Sequence, residues 1–136
     1  MTYIFDACAL IALLKREQGA DQVRALLNEA QAGQSVISMN TINLIEVYYW
    51  FYRSLGREKS GLILEMIYAM PIQFIDSIDA VIFSEASRLK AQSAIPLGDC
   101  IGLATAIKMN GVFVTSDHND LEAVEKNDAV KFFWFR

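Results

Sequence analysis

The sequence predicts one α/β domain, a parallel sheet covered by helices on both faces. Three observations predict it. Five short apolar segments alternate with longer segments whose apolar residues recur at helical spacing. The 136 residues, 54% of them hydrophobic, suffice for a single real core and exclude a disordered chain. No internal repeat, low-complexity tract or linker divides the sequence, so residues 1–136 read as one unit.

Residues 2–5 form the first strand, and residues 7–15 a largely apolar helix that must be buried. Gly19 separates it from a helix over 21–32, with Val23, Leu26, Leu27 and Ala30 on one side and Gly33 after its end. A strand at 36–38 leads to Asn40 or Thr41, either of which can cap a helix reaching Leu55. Gly56 breaks that helix, and another follows over 58–70, striped by Leu62, Ile63, Met66 and Ile67. Pro71 opens a strand at 72–75. Asp76 or Ser77 then caps a helix to Gln92. Pro96 and Gly98 mark a junction, and Asp99 opens a helix to Met109. Asn110-Gly111 is a turn. A strand at 112–115, a short helix at 121–126 and a strand at 131–135 complete the chain.

The bulk composition removes several function classes. The net charge of −4 argues against a broad basic surface for polyanions, though a local patch remains compatible with it. The apolar run around Asp6 is too short to span a bilayer, and its flanks lack signal-peptide character. The expectation is a soluble cytoplasmic protein. The two cysteines, Cys8 and Cys100, form no CxxC, and there is a single His, so no structural zinc site is expected. Both cysteines neighbour acids that are expected to converge, which would place them near each other as two small reduced thiols.

Four acids stand in apolar settings. Asp6 ends Tyr3-Ile4-Phe5 and precedes eight uncharged residues. Glu46 sits in Ile42-Asn43-Leu44-Ile45-Glu46-Val47-Tyr48. Asp99 sits between Leu97-Gly98 and Cys100-Ile101. Asp117 closes Val112-Phe113-Val114-Thr115-Ser116. A carboxylate in such surroundings is costly unless compensated. Ligands of an open parallel sheet bind beyond the carboxyl ends of its strands. All four acids reach that end: Asp6 and Asp117 follow strands, Asp99 starts a helix, and Glu46 lies one to two turns into one. Glu46 is expected away from the core side formed by Leu44, Val47, Tyr48, Phe51 and Leu55, sharing its face with Ile42, Tyr49 and Arg53. Each acid alone could be a cap, a turn residue or a solvent-facing charge. Asp120 either caps the short helix or joins the cluster. Together the four point to one acidic centre, where mutual repulsion calls for a hard divalent cation, Mg²⁺ or Mn²⁺. Such a centre suits phosphodiester hydrolysis. His118 adjoins it, either at the metal or substrate or as a rim residue.

These residues resemble the PIN-domain family, most closely VapC-type toxins of toxin–antitoxin pairs, over essentially the whole chain. The motifs are Tyr3-Ile4-Phe5-Asp6-Ala7-Cys8-Ala9, Asn40-Thr41-Ile42-Asn43-Leu44-Ile45-Glu46-Val47, Leu97-Gly98-Asp99-Cys100-Ile101-Gly102-Leu103-Ala104 and Val112-Phe113-Val114-Thr115-Ser116-Asp117, in that order. The resemblance implies sheet order 3-2-1-4-5 and a metal-dependent ribonuclease leaving a 3′-hydroxyl. Asp6, Glu46, Asp99 and Asp117 would then be both catalytic and metal-ligating. It also implies an RNA substrate, a cognate antitoxin and a homodimer. Thr115, Ser116, Asp120 and Cys8 are expected behind the ligands. Cys8 stands where the family commonly has a small hydroxyl residue, and Asn43 where Ser or Thr is common. Lys15, Arg16, Arg53 and Arg57, with Lys59 near them, are candidate RNA phosphate contacts or else solubilising charge. The aromatic run Tyr48-Tyr49-Trp50-Phe51-Tyr52 is expected either to be covered by neighbouring helices or to line a groove for the antitoxin or a second copy.

Competing readings fit less well. A receiver domain needs an acidic pair after its first strand and a Lys after its fifth. A haloacid-dehalogenase phosphatase needs Asp-x-Asp, and position 8 is Cys. A non-toxin PIN-fold RNA-processing nuclease, or a PIN-fold binding module without catalysis, remains the alternative.

Overall fold

The computed structural model describes residues 1–128 and 130–136. Its elements follow the order β1 (Thr2–Phe5), α1 (Ala7–Lys15), α2 (Ala20–Gln31), β2 (Val36–Asn40), α3 (Thr41–Leu55), α4 (Arg57–Tyr68), β3 (Ile72–Ile75), α5 (Ala80–Gln92), α6 (Leu97–Met109), β4 (Val112–Thr115), α7 (His118–Asn127) and β5 (Lys131–Trp134). The strands form one sheet in the order β3-β2-β1-β4-β5. Every neighbouring pair is parallel, so all five carboxyl ends lie at one end.

Alternate residues of a strand face opposite sides, and the sheet therefore sorts two cores. Phe5, Ile37 and Met39 face α1 to α4, packing with Leu10, Val23, Leu44, Val47, Phe51 and Ile67. Ile4 and Phe113 face the other side, packing with Ile82, Leu89, Leu103, Leu121 and Val124. With both faces covered, the strands read as nearly continuous apolar runs. Among the described residues no helix is long and apolar enough to cross a membrane.

Several boundaries differ from expectation. α5 begins at Ala80, not after Asp76 or Ser77, because Asp79 is the residue whose carboxylate accepts the Ile82 N–H, at 2.9 Å. β2 runs on to Asn40, which both pairs with Ile75 and caps α3 through the Ile42 N–H. α7 starts at His118 rather than residue 121, because Asp117 caps it. β5 ends at Trp134, although the Phe135 N–H still donates to Thr115 O. Leu55, expected on the core side, is 44% exposed as the last residue of α3 before Gly56.

Cys8 and Cys100 are not neighbours across a shared site. Cys8 packs with the core containing Phe5, whereas Cys100 lies in the core containing Ile4. One helical step past Asp99 rotates the side chain by about 100°, which carries Cys100 away from the acid it follows. Both thiols are free.

Candidate active site

Asp6 ends β1 and caps α1. Its N–H extends the sheet to Val114 O. Its Oδ1 accepts the Ala7 N–H at 2.8 Å, and its Oδ2 accepts the Thr115 hydroxyl at 2.8 Å and the Cys8 thiol at 3.4 Å. The residue is 4% exposed. Burial holds its pKa above the ordinary carboxylate value, with Asp117 adding to the rise and the three hydrogen bonds opposing it. Cys8 thus supplies through sulfur the hydrogen bond that a hydroxyl would give. Burial and the Asp6 charge push its thiol up to about 12, so it stays protonated.

Asp99 lies in the first turn of α6, where the helix dipole favours an anion. It is buried, and its pKa is pushed up to about 8 by that burial and by Asp6, Asp117, Glu46 and Asp120. Those four charges identify its surroundings. Glu46 sits half-buried on α3, away from Leu44, Val47 and Phe51 as the helical spacing predicts. Asn43 holds it: one amide nitrogen donates to Glu46 Oε1 at 2.8 Å and to Gly98 O at 3.0 Å. Glu46 lies so close over Gly98 that a Cβ there would stand 2.7 Å from Oε2 and 2.8 Å from Oε1. Burial, then the charge of Asp6, raises the Glu46 pKa, while the Asn43 bond opposes this.

Asp117 caps α7, its Oδ1 accepting the Asp120 N–H at 3.3 Å. Its own N–H donates to Thr115 Oγ1 at 3.2 Å, so Thr115 links Asp6 to Asp117. Burial raises the Asp117 pKa, and the charge of Asp120 raises it further. Carboxylate oxygens of Asp99, Asp117 and Asp120 lie within 4.8 Å of one another. Asp120 therefore joins the centre, while Asp117 is the cap. The helix-start geometry accomplishes both, because the first turn aims residues 117 and 120 in one direction.

The centre fits a hard divalent cation. Its donors are all carboxylate oxygens, its thiol is protonated, and among the described residues none of the five acids pairs with Lys or Arg. His118 offers no free nitrogen: Nδ1 meets Glu122 Oε1 at 2.8 Å and Nε2 meets Arg136 O at 2.7 Å. Among the described residues Ser116 makes no side-chain hydrogen bond to the acids, and it lies against Cys8.

The candidate phosphate contacts divide. Lys15 pairs with Glu17 at 3.0 Å and lies over Trp50. Arg16, Arg53 and Arg57 are exposed and have no acidic partner among the described residues, and Arg53 reaches over the Tyr49 ring. Of the aromatic run, Phe51 is buried and Trp50 partly so, while Tyr49 and Tyr52 stay nearly half exposed. Neighbouring helices therefore cover only part of it.

A family model described as PIN domain matches residues 3–127. The chain belongs to the PIN domain family. Solved structures share its fold over nearly the whole length. VapBC from Salmonella typhimurium bound to DNA has TM-score 0.78 at 13% identity, covering 100% of this chain and 99% of that one. VapBC2 from Rickettsia felis, bound to a fragment of its promoter, has TM-score 0.77 at 18% identity, covering 98% of each. The sarcin–ricin loop cleaving toxin VapC20 of Mycobacterium tuberculosis has TM-score 0.60 at 14% identity, covering 89% of this chain and 94% of that one. A search of curated proteins returned no match. In this PIN domain, Gly98 is the site residue least visible in the sequence, its only signal being its place immediately before Asp99, whereas Asn43 is marked by standing where the family commonly has Ser or Thr.

Proposed function

We propose that this PIN domain is a metal-dependent endoribonuclease, the toxin of a type II toxin–antitoxin pair. The observation that carries the reading is the convergence of Asp6, Glu46, Asp99, Asp117 and Asp120, without a cationic partner among the described residues, at the carboxyl end of the parallel sheet. Asp6, Glu46, Asp99 and Asp117 would hold Mg²⁺ or Mn²⁺, with Asp120 at the open side. A divalent cation bound among such carboxylates offsets charge on a phosphodiester and acidifies a water. The chain's own residues do the positioning. Thr115 and Cys8 fix the Asp6 carboxylate, Asn43 fixes Glu46, and the α7 cap fixes Asp117. Arg16, Arg53 and Arg57 are free to meet RNA phosphates.

Two further features support the toxin reading. The structural neighbours include VapBC complexes. Ile45, Tyr49, Tyr52, Leu62 and Met66 expose an apolar surface on α3 and α4 suited to a helical antitoxin segment or a second copy.

Purified protein should cleave RNA with Mg²⁺ or Mn²⁺ and stop in EDTA. Asp6→Asn and Asp99→Asn should retain the fold and lose detectable cleavage. If both variants cut at the wild-type rate, this reading is wrong.

A further inference from the structure

One group of rings beside the acids has no part in holding them. Phe132 and Trp134 stack at 5.0 Å with 12° between their planes, and His118 stacks on Trp134 at 4.2 Å and 18°. The stack is rooted in the core, because Phe132 packs edge-on against buried Phe113. It is also held at its edges. The Trp134 Nε1–H donates to Glu125 at 2.9 Å, and both His118 nitrogens are engaged. Yet the His118 side chain is 44% exposed. One ring face lies on Trp134 and the nitrogens have partners, so the exposure belongs to the opposite face and the carbon edge.

The stack stands next to the acidic centre. Trp134 pairs in register with Thr115, whose hydroxyl bonds Asp6. His118 directly follows Asp117. We propose that the free face of His118 stacks a nucleobase of single-stranded RNA flanking the cleaved bond, an inference that rests on the ribonuclease reading.

The chemistry around the ring favours a base over a phosphate. Glu122 and the Arg136 carbonyl hold the edges of His118, Glu125 holds the edge of Trp134 beneath it, and Asp117 directly precedes it in the chain. The guanidinium of Arg136, whose backbone O meets His118 Nε2, is turned onto Glu17 and Gln18 O. Both ring nitrogens are already engaged and leave no donor for a phosphate, whereas every base offers a π-face to a fixed ring. Because the rings are already immobilised, little ordering is lost on binding. The platform would align the strand while leaving base identity unread.

The test measures binding rather than turnover. In an Asp99→Asn background with Mg²⁺, short single-stranded oligoadenylate is titrated against the parent, His118→Ala and His118→Phe. The alanine variant should lose about five- to 150-fold in affinity, the usual weight of one stacked base, and the phenylalanine variant should stay close to the parent. Oligoadenylates carrying one abasic sugar at each position in turn supply the second reading. At one position the abasic sugar should cost the parent a similar factor and cost His118→Ala nothing further. An unchanged affinity of His118→Ala overturns the proposal. So does a loss that persists undiminished with every abasic RNA, which would assign the residue to the backbone or to the fold. Should His118→Ala not fold, a parent indifferent to all abasic positions, or a His118→Phe that binds far more weakly, overturns it equally. These results would leave the nuclease reading standing if wild-type protein cleaves RNA in EDTA-sensitive fashion. A protein that neither binds nor cuts RNA overturns both.

Discussion

Asp6 and Asp120 reach one centre from opposite surroundings. Asp6 is closed in at the junction of β1 and α1, with a backbone amide, a hydroxyl and a thiol on its two oxygens. Asp120 is placed by a single turn of α7 and by its N–H on Asp117. The first arrangement fixes a carboxylate before any ion arrives. The second leaves one held only by its own turn, free to adjust to an ion. A site built this way has a rigid floor and a compliant rim, and Thr115 joins the two by donating to Asp6 and accepting from Asp117.

Substitutions on either side test that contrast. Thr115→Val removes the link and leaves a buried carboxylate short of a donor. Metal affinity and cleavage should fall about tenfold to a hundredfold, and stability by about 1–3 kcal/mol, read by isothermal titration, RNA turnover and denaturant melts. Asp120→Asn should cost less, about tenfold or below in the same assays, with stability unchanged. If Asp120→Asn proves the more damaging, the compliant rim is in fact the principal holder of the ion.

Removing the metal sharpens the contrast through pH. Asp99, with its pKa pushed up to about 8, keeps its proton in the folded metal-free protein well above the pH at which the unfolded chain loses it. Across that window the folded state binds the extra proton, so stability must fall as pH rises. In EDTA the Tm should decline from pH 5 to pH 8, and added Mg²⁺ should raise it more at pH 8 than at pH 5. A flat profile would mean that the acids are not crowded as described. The smallest effect belongs to Cys8→Ser. A hydroxyl keeps the donor to Asp6, so stability should shift by about 0.5 kcal/mol or less, and cleavage should persist.

The floor of the site was legible because its acids contradict their neighbours. A charge after Tyr3-Ile4-Phe5 or amid Ile45 and Val47 stands out against apolar sequence, and the parallel sheet gives those acids one meeting place. The rim was less legible. Asp120 follows His118 and Asn119, where a carboxylate reads equally well as a helix cap or as a member of the cluster, and the turn of α7 is what brings it to Asp99. The start of α5 was misplaced for a related reason: Asp76, Ser77 and Asp79 are all competent caps, and the choice depends on which one faces the Ile82 N–H. The Cys8–Cys100 expectation failed because nearness to converging acids along the chain says nothing about the face on which a side chain emerges. The strand order, by contrast, followed from the family resemblance and is the order found.

The contact of Glu46 with Gly98 carries a consequence for tolerance to mutation. Position 98 adds no charge, no hydrogen-bonding side chain and no metal donor, so a survey of the acids alone would pass over it. Yet a single methyl there would collide with both oxygens of Glu46. Because those oxygens end a flexible side chain, the chain can keep its fold by swinging Glu46 aside, and an alanine, normally the mildest replacement in a helix, becomes a way of unseating a carboxylate at a distance from its own helix.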